Sequence, residues 1–171
     1  MDIYCTTDER YIQAIEELRY GEAAKSLRLF NELLLADPGY ARAYFQVGIL
    51  NYYYTQDYQA AGYYFGKCIE LEPGFPEAYQ EFLKLLVFLN MKKKAGELAS
   101  QALKVPGMER SFIYQQLGLL EEKNQDDRKA LDLYRKAYAC VLEKEEADNL
   151  KEAIGRVKEK LQRGEKFVYS C

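Results

Sequence analysis

Apolar and polar positions alternate at helical spacing along this chain, and the pattern returns at a nearly constant interval. A column of small residues holds Ser26, Ala61, Ala95 and Ala130, at intervals of 35, 34 and 35 residues. Four residues later, where an aromatic residue is expected, stand Phe30, Phe65, Ala99 and Tyr134. A third column with the same intervals holds Leu33, Cys68, Ala102 and Ala137. Periods of this length predict a stack of helical units, an architecture that usually binds other proteins.

Turn and capping residues predict that each unit is a pair of antiparallel helices. Thr6 and Glu9 match a capping box that opens the first helix, and Pro38, Pro73 and Pro106 punctuate the ends of three units. The predicted pairs span 8–19 and 22–36, 40–54 and 57–71, 76–89 and 92–104, and 109–123 and 126–142. The units themselves cover approximately 7–40, 41–75, 76–108 and 109–142.

The segment after the fourth unit follows a different pattern. One apolar stripe is formed by Leu150, Ile154, Val157 and Leu161, on an otherwise charged stretch. It predicts a capping helix over 145–163 that covers the exposed end of the fourth unit, followed by a short tail at 164–171. We expect the whole chain, 1–171, to form a single domain.

Two segments carry a resemblance to a known family. Tyr44-Phe45-Gln46-Val47-Gly48 and Tyr114-Gln115-Gln116-Leu117-Gly118 resemble the opening signature of the tetratricopeptide repeat, and the small, aromatic and proline columns resemble its continuation. The resemblance covers nearly the whole chain. It implies an all-α, right-handed solenoid of four helix-turn-helix units with a C-terminal capping helix.

The chain departs from the family pattern in several places. The first unit has Arg10 and Gln13 where large apolar residues are usual, and the third has Leu83 where glycine is usual. The second unit carries one extra residue between Gly48 and Asp57, so the facing positions of its first helix are uncertain by one residue.

The resemblance also implies where a partner binds. In this family the first helices of successive units line a concave groove that holds a peptide or helix of another protein. Those positions are Tyr11 and Ile15 in the first unit, Phe45, Gln46, Ile49 and Tyr53 in the second, Gln80, Glu81, Lys84 and Phe88 in the third, and Gln115, Gln116 and Leu119 in the fourth.

One binding mode of the family is not expected here. Members that grip the C-terminal carboxylate of a chaperone place lysine, asparagine and arginine on these faces, because a carboxylate needs charged donors. The corresponding positions hold Tyr11, Ile15, Gln46, Glu77 and Glu81.

Tyrosines crowd the second unit. The cluster comprises Tyr52, Tyr53, Tyr54, Tyr58, Tyr63 and Tyr64. Three consecutive tyrosines in a helix point about 100° apart, so at least one of the first three should reach the groove or the outer face. Tyrosine combines a large contact area with a polar tip, which makes the cluster a candidate contact site, with core packing as the alternative.

Composition excludes several classes of function. There are 24 Lys and Arg against 27 Asp and Glu, a net charge of −3, so a nucleic-acid partner is not expected. The chain has no histidine, the commonest general base and metal ligand, and no phosphate-binding or nucleophile motif. We therefore expect no catalysis, no cofactor and no bound metal.

Localisation follows from the cysteines and the hydropathy pattern. Cys68 and Cys140 occupy positions typical of small buried residues, while Cys5 and Cys171 lie near the termini with no partner spacing. Neither a secretory signal nor an apolar stretch long enough for a membrane span is present, which favours the cytoplasm and argues against membrane partners.

Three non-enzymatic functions remain open. The first is an interaction scaffold or adaptor whose groove binds a peptide or helix. The second is a small cytoplasmic chaperone, similar to those of secretion systems, that holds apolar client segments. The third is self-association, for example as a homodimer, through the tyrosine-rich face.

Overall fold

The computed structural model describes residues 6–168, with side chains described up to residue 164. In this part of the chain the regular structure is entirely helical. The helices are α1 Thr7–Tyr20, α2 Ala23–Ala36, α3 Ala41–Leu50, α4 Tyr58–Leu71, α5 Pro76–Phe88, α6 Lys92–Ala102, α7 Arg110–Lys123, α8 Asp127–Cys140 and α9 Lys144–Val168. The predicted all-α fold is therefore confirmed.

The predicted helix ends agree with the structure to within about two residues, with two exceptions. The capping box at the start of α1 is present, because the Thr6 side chain accepts from the Glu9 backbone and the Glu9 side chain accepts from Thr6. The capping helix α9 continues to Val168, past its predicted end at 163. The rest of the predicted tail lies outside the described residues, as do Cys5 and Cys171.

The second exception is a π-helical turn, Asn51–Thr55, that continues α3. A π-helical turn holds one more residue than an α-helical turn, so it absorbs the extra residue between Gly48 and Asp57. The Asn51 side-chain amide donates to the Val47 carbonyl at 2.8 Å, and the Thr55 hydroxyl donates to the Asn51 carbonyl at 3.3 Å. Two short polar side chains thus satisfy backbone groups where the regular ladder is interrupted.

All three repeat columns lie in the core. The small residues Ser26, Ala61, Ala95 and Ala130 are fully buried, and the aromatic column is buried with them. The two signature glycines face those aromatic rings: a Cβ atom at Gly48 would lie 2.6 Å from Cδ1 of Phe65, and one at Gly118 would lie 2.8 Å from Cδ1 of Tyr134. Glycine is therefore required here for close approach between paired helices.

Separately from the four repeats, the chain divides into two larger compact units, the first ending at Leu85 and the second starting at Leu86. The core of the first unit includes Phe30, Leu33, Val47 and Leu50 from α2 and α3. A further cluster there, formed by Ala61, Phe65 and Leu85, joins α4 to α5. The assignment of 1–171 to a single domain stays a prediction.

The second compact unit has its own core, which α9 completes. Leu150, Ala153 and Val157 of α9 are buried in one cluster with Ala130, Tyr134 and Ala137 of α8. The apolar stripe thus covers the last helical pair, as the sequence predicted. None of the helices within residues 6–168 combines the length and apolar character needed to span a membrane.

Candidate interaction surfaces

The α1 positions of the predicted groove are half-buried and contact the neighbouring helix pair. The Tyr11 ring lies 5.7 Å from Phe30 and 5.4 Å from Tyr40, between ring centroids. Its hydroxyl oxygen accepts a hydrogen bond from the Gln46 amide at 3.3 Å. Ile15 packs against the core formed by α1, α2 and α3. Tyr11 and Ile15 therefore present only part of their surface to a partner.

Phe45 and Ile49 on α3 are also half-buried. The Phe45 ring lies 5.0 Å from Phe75 and 6.1 Å from Phe65, and Ile49 packs against the cluster that contains Phe65. A charged residue at position 45 would therefore disturb the fold as well as the surface.

Among the predicted positions of the first compact unit, Tyr53 is the most exposed, with 52 % of its surface accessible. It lies in the π-helical turn, and its hydroxyl donates to the Glu81 carboxylate on α5 at 2.8 Å. Lys84 donates to the other oxygen of Glu81 at 2.7 Å. Burial and then the hydrogen bond to Glu81 raise the pKa of Tyr53, so its hydroxyl remains a donor at neutral pH. Gln80, half-buried, precedes Glu81 on α5.

The second compact unit, from Leu86 onwards, contains the remaining predicted positions. Phe88, at the end of α5, is exposed, and the Lys123 ammonium lies 6.0 Å from its ring centroid. On α7, Leu119 is exposed while Gln115 and Gln116 are half-buried. These side chains give this unit a surface with an aromatic, an aliphatic and two amide groups.

The tyrosine cluster divides between two surfaces. Tyr53 and Tyr54 are exposed, which confirms that at least one of the first three tyrosines leaves the core. Tyr63 on α4, 58 % exposed, belongs to a separate groove of about 300 Å³ between α2 and α4. The residues lining that groove are Asn31, Leu34, Leu35, Tyr44, Tyr63 and Tyr64. Sequence reasoning missed this groove, although three consecutive leucines in α2 were a signal for it, because they cannot all face the core: Leu33 is buried, Leu34 is half-buried and Leu35 is exposed.

Comparison with known proteins identifies the architecture. No protein-family model matches the sequence, and no curated protein matches it. The crystal structure of MamA matches with a TM-score of 0.76 at 20 % identity, over 95 % of this chain and 87 % of MamA. Pseudomonas aeruginosa PilF matches with a TM-score of 0.74 at 14 % identity, over 92 % of this chain and 69 % of PilF.

A human protein shows the same likeness. The structure of the human IFIT1 dimer with PPP-AAAA has a TM-score of 0.76 at 20 % identity, over 93 % of this chain and 40 % of the IFIT1 chain. All three are tetratricopeptide-repeat proteins. The chain has the tetratricopeptide-repeat fold. Likeness at these identities establishes the fold and leaves function to the surfaces.

In the second compact unit of the tetratricopeptide-repeat fold, Glu122 connects three helices through hydrogen bonds. It lies at the end of α7, and its carboxylate accepts hydrogen bonds from Arg156 and Lys160 of α9 and from Tyr134 of α8. The hydrogen bond from Arg156, followed by those from Lys160 and Tyr134, lowers the pKa of Glu122 to about 2 despite partial burial.

In the sequence, Glu122 stands beside Glu121 near the predicted helix end at 123, a usual place for an exposed acidic residue. In the structure its carboxylate instead joins α7 to α8 and α9. The available signal was the spacing of Arg156 and Lys160, which lie four residues apart and therefore on one face of α9.

The cysteines of the tetratricopeptide-repeat helices differ from each other in exposure. Cys68 is fully buried, as predicted, and burial raises the pKa of its thiol to about 12. Cys140 is exposed, so the prediction that it is buried is wrong: it is the last residue of α8, and its neighbour Val141, not Cys140, packs against the cluster that α8 shares with α9. Among the described residues there is no group of three or more cysteines and carboxylates able to hold a metal ion.

Proposed function

We propose that this protein is a non-catalytic adaptor whose first-helix surface binds a peptide or helix of another protein. The tetratricopeptide-repeat fold supports this, because its extended surfaces are used for protein interaction. The single observation that carries the proposal is the surface around Tyr53. There the hydroxyl of an exposed ring and the Lys84 ammonium each donate a hydrogen bond to the Glu81 carboxylate.

This surface suits a partner segment with apolar side chains and a polar backbone. Tyr53 and Ile49 offer apolar contact area, while Gln46 and Gln80 carry amides that both donate and accept hydrogen bonds. Aromatic side chains with a polar tip are common among residues that dominate binding energy. The face formed by Phe88, Leu119, Gln115 and Gln116 is proposed as a contact surface of the second unit.

The absence of catalysis is part of the proposal. The chain has no histidine, and the raised pKa of Cys68 keeps this buried thiol protonated. The ionised carboxylate of Glu122 is saturated with hydrogen bonds, which suits a structural role. A cytoplasmic location stays a prediction from the sequence.

The test compares two exposed tyrosines on different faces. Tagged wild type, Tyr53→Ala/Gln80→Ala and the control Tyr63→Ala would be used as bait in native lysate, with quantitative mass spectrometry of the retained proteins. We expect a partner retained by wild type and by Tyr63→Ala to be lost with Tyr53→Ala/Gln80→Ala.

Folding must be checked by circular dichroism and thermal unfolding, since truncation removes the hydrogen bond to Glu81. Retention of every specific partner by the folded Tyr53→Ala/Gln80→Ala variant contradicts the proposal. Selective loss with Tyr63→Ala assigns binding to the α2–α4 groove instead.

A chaperone for apolar client segments is the second candidate. It is favoured by apolar exposure on the first helices, notably Ile12 of α1 and Phe88 of α5. A chaperone of this kind would suppress aggregation of unfolded proteins with unrelated sequences, whereas an adaptor would bind one sequence. Aggregation assays with two unrelated model substrates therefore separate the two functions.

A further inference from the structure

The two compact units carry opposite net charges. Residues up to Leu85 include 13 acidic and 7 basic side chains, a net charge of −6. Residues from Leu86 include 14 acidic and 17 basic side chains, a net charge of +3. The overall value of −3 conceals this separation, which provides long-range attraction between the first unit of one molecule and the second unit of another.

A pocket in the first unit offers a place for a cationic side chain. It has a volume of about 440 Å³ and is lined by Asp8, Gly39, Tyr40, Ala41, Arg42, Leu71 and Glu72. Its two carboxylates outnumber the single cation, and Leu71 provides an exposed apolar wall. We call it the acidic pocket.

The acidic pocket has a fixed polar arrangement. The Tyr40 hydroxyl donates to Asp8 at 2.7 Å, which orients the carboxylate and leaves it further acceptor capacity. Burial, followed by this hydrogen bond, raises the pKa of Tyr40 to about 12, so the donor persists at neutral pH. A carboxylate beside an aromatic ring suits a lysine or arginine side chain.

The second unit presents a group of cations at the start of α6 and α8. The first turn of α6 contains Lys92, Lys93 and Lys94, and that of α8 contains Arg128 and Lys129. The helix dipole disfavours cations at this end of a helix, so helix stability does not explain the presence of Lys93, Lys94 and Arg128. We call these five residues the basic edge.

The two parts of the basic edge are held together by contacts of the turn that precedes α6 and of the turn that precedes α8. The side-chain amide of Asn124 donates to that of Asn90 at 2.7 Å, and Lys92 forms an ion pair with Glu121 at 2.5 Å. Lys129 pairs with Asp126 at 2.9 Å. Within the described residues no ion pair engages Lys93, Lys94 or Arg128, all of which are exposed.

We infer that the protein associates head to tail with a second copy of itself, the basic edge of one molecule docking on the acidic pocket of the next. Lys93 or Lys94 enters the pocket between Asp8 and Glu72. The occupant is a second copy because the complementary charges belong to the same chain. The contact uses none of the residues around Tyr53, so it is independent of the adaptor function.

Such a contact joins two different surfaces, so in a pair of molecules one basic edge and one acidic pocket remain free to bind further copies. Association of this type produces open chains of increasing length unless the geometry closes a ring. It should weaken strongly with salt, because the Debye length falls from roughly 30 Å at about 0.01 M to roughly 3 Å at about 1 M.

Sedimentation velocity at these two salt concentrations tests the inference. We expect wild type to show a concentration-dependent series of oligomers at low salt and a monomer at high salt. Glu72→Lys, which reverses the charge of the pocket, should remain monomeric in both. The control Glu16→Lys makes the same charge change at an exposed position on α1 outside the pocket, and should associate like wild type.

A mixture of two defective variants provides the decisive measurement. Lys93→Glu/Lys94→Glu retains an intact pocket, and Glu72→Lys retains an intact basic edge. Each should be monomeric alone, and their mixture should form a heterodimer that grows no further. The inference is overturned if wild type is monomeric at low salt, if its oligomers resist high salt, if Glu16→Lys is as defective as Glu72→Lys, or if the mixture forms no heterodimer.

Discussion

The guanidinium of Arg156 donates two hydrogen bonds to the carboxylate of Glu122, from Nε to Oε1 and from Nη2 to Oε2, both at 2.9 Å. This parallel pairing fixes the direction of α9 as well as its distance from α7. The Glu122 side chain is only 9 % exposed, so the pair is shielded from solvent on the carboxylate side. The capping helix is thus held by a directional polar contact in addition to its apolar stripe.

Substitution of Glu122 by Gln should weaken this attachment. The neutral amide loses charge-assisted hydrogen bonds, and we expect a loss of about 1–3 kcal/mol in the free energy of unfolding, measured in urea. The matched control is Glu159→Gln on α9, whose 3.5 Å ion pair with Arg163 is mostly exposed. It should change stability by less than about 0.5 kcal/mol. Equal effects of the two substitutions would contradict this role of Glu122.

The contribution of Glu122 should depend on pH in a defined direction. Its pKa is about 2 in the folded protein and 4.5 without these contacts, so folding favours the ionised form. The stabilisation is fully present above about pH 4.5 and is lost as the pH falls towards 2. We expect the difference in unfolding free energy between wild type and Glu122→Gln to be constant near neutrality and to shrink over that range. A difference that grows on acidification would reverse the assignment.

Gly118 should not tolerate a side chain. A Cβ atom there would lie 2.8 Å from the Tyr134 ring, so Gly118→Ala must push α7 and α8 apart. We expect a loss of about 1–3 kcal/mol in thermal or urea unfolding.

Gly155 of α9 is the control, because a Cβ atom at this position meets no heavy atom within 4 Å. Gly155→Ala should stabilise the protein by roughly 0.5–1 kcal/mol through helix propensity. Stabilisation by Gly118→Ala as well would show that the two helices are not closely packed at Tyr134.

The two described cysteines should differ in reactivity. In a Cys5→Ser/Cys171→Ser background, Cys140 should react promptly with a thiol reagent in the native protein because it is exposed. Cys68 is buried and its pKa is raised to about 12, so it should react only on unfolding. Mass spectrometry of the labelled peptides distinguishes the sites. Rapid native labelling of Cys68 would contradict its place in the core.

The repeat columns made most of the fold predictable from the sequence. Each column residue lies on the buried face of the second helix of its pair, so spacing alone identified buried positions such as Ala61, Phe65 and Tyr134. The helix ends followed from local signals, for example the capping box of Thr6.

The features that were missed depend on contacts between distant residues. Glu122 and Arg156 are 34 residues apart, and nothing local distinguishes Glu122 from an ordinary acidic helix end. Cys140 follows Ala137 by three residues, but α8 ends there, and Val141 continues the buried series while Cys140 is exposed. The groove positions Tyr11 and Phe45 lie on the predicted helices, yet their aromatic neighbours take up part of each ring.

The π-helical turn at Asn51–Thr55 has a consequence for how such an array changes over generations. A one-residue insertion in an α-helix would rotate every following side chain by about 100°, and the next helix would present the wrong face to its neighbours. Here the rotation is confined to five residues, and Ala61 and Phe65 keep their places in the core. The inserted residue lengthens only the segment that brings Tyr53 to Glu81, so the proposed binding surface can change while the core positions of the repeats stay in register.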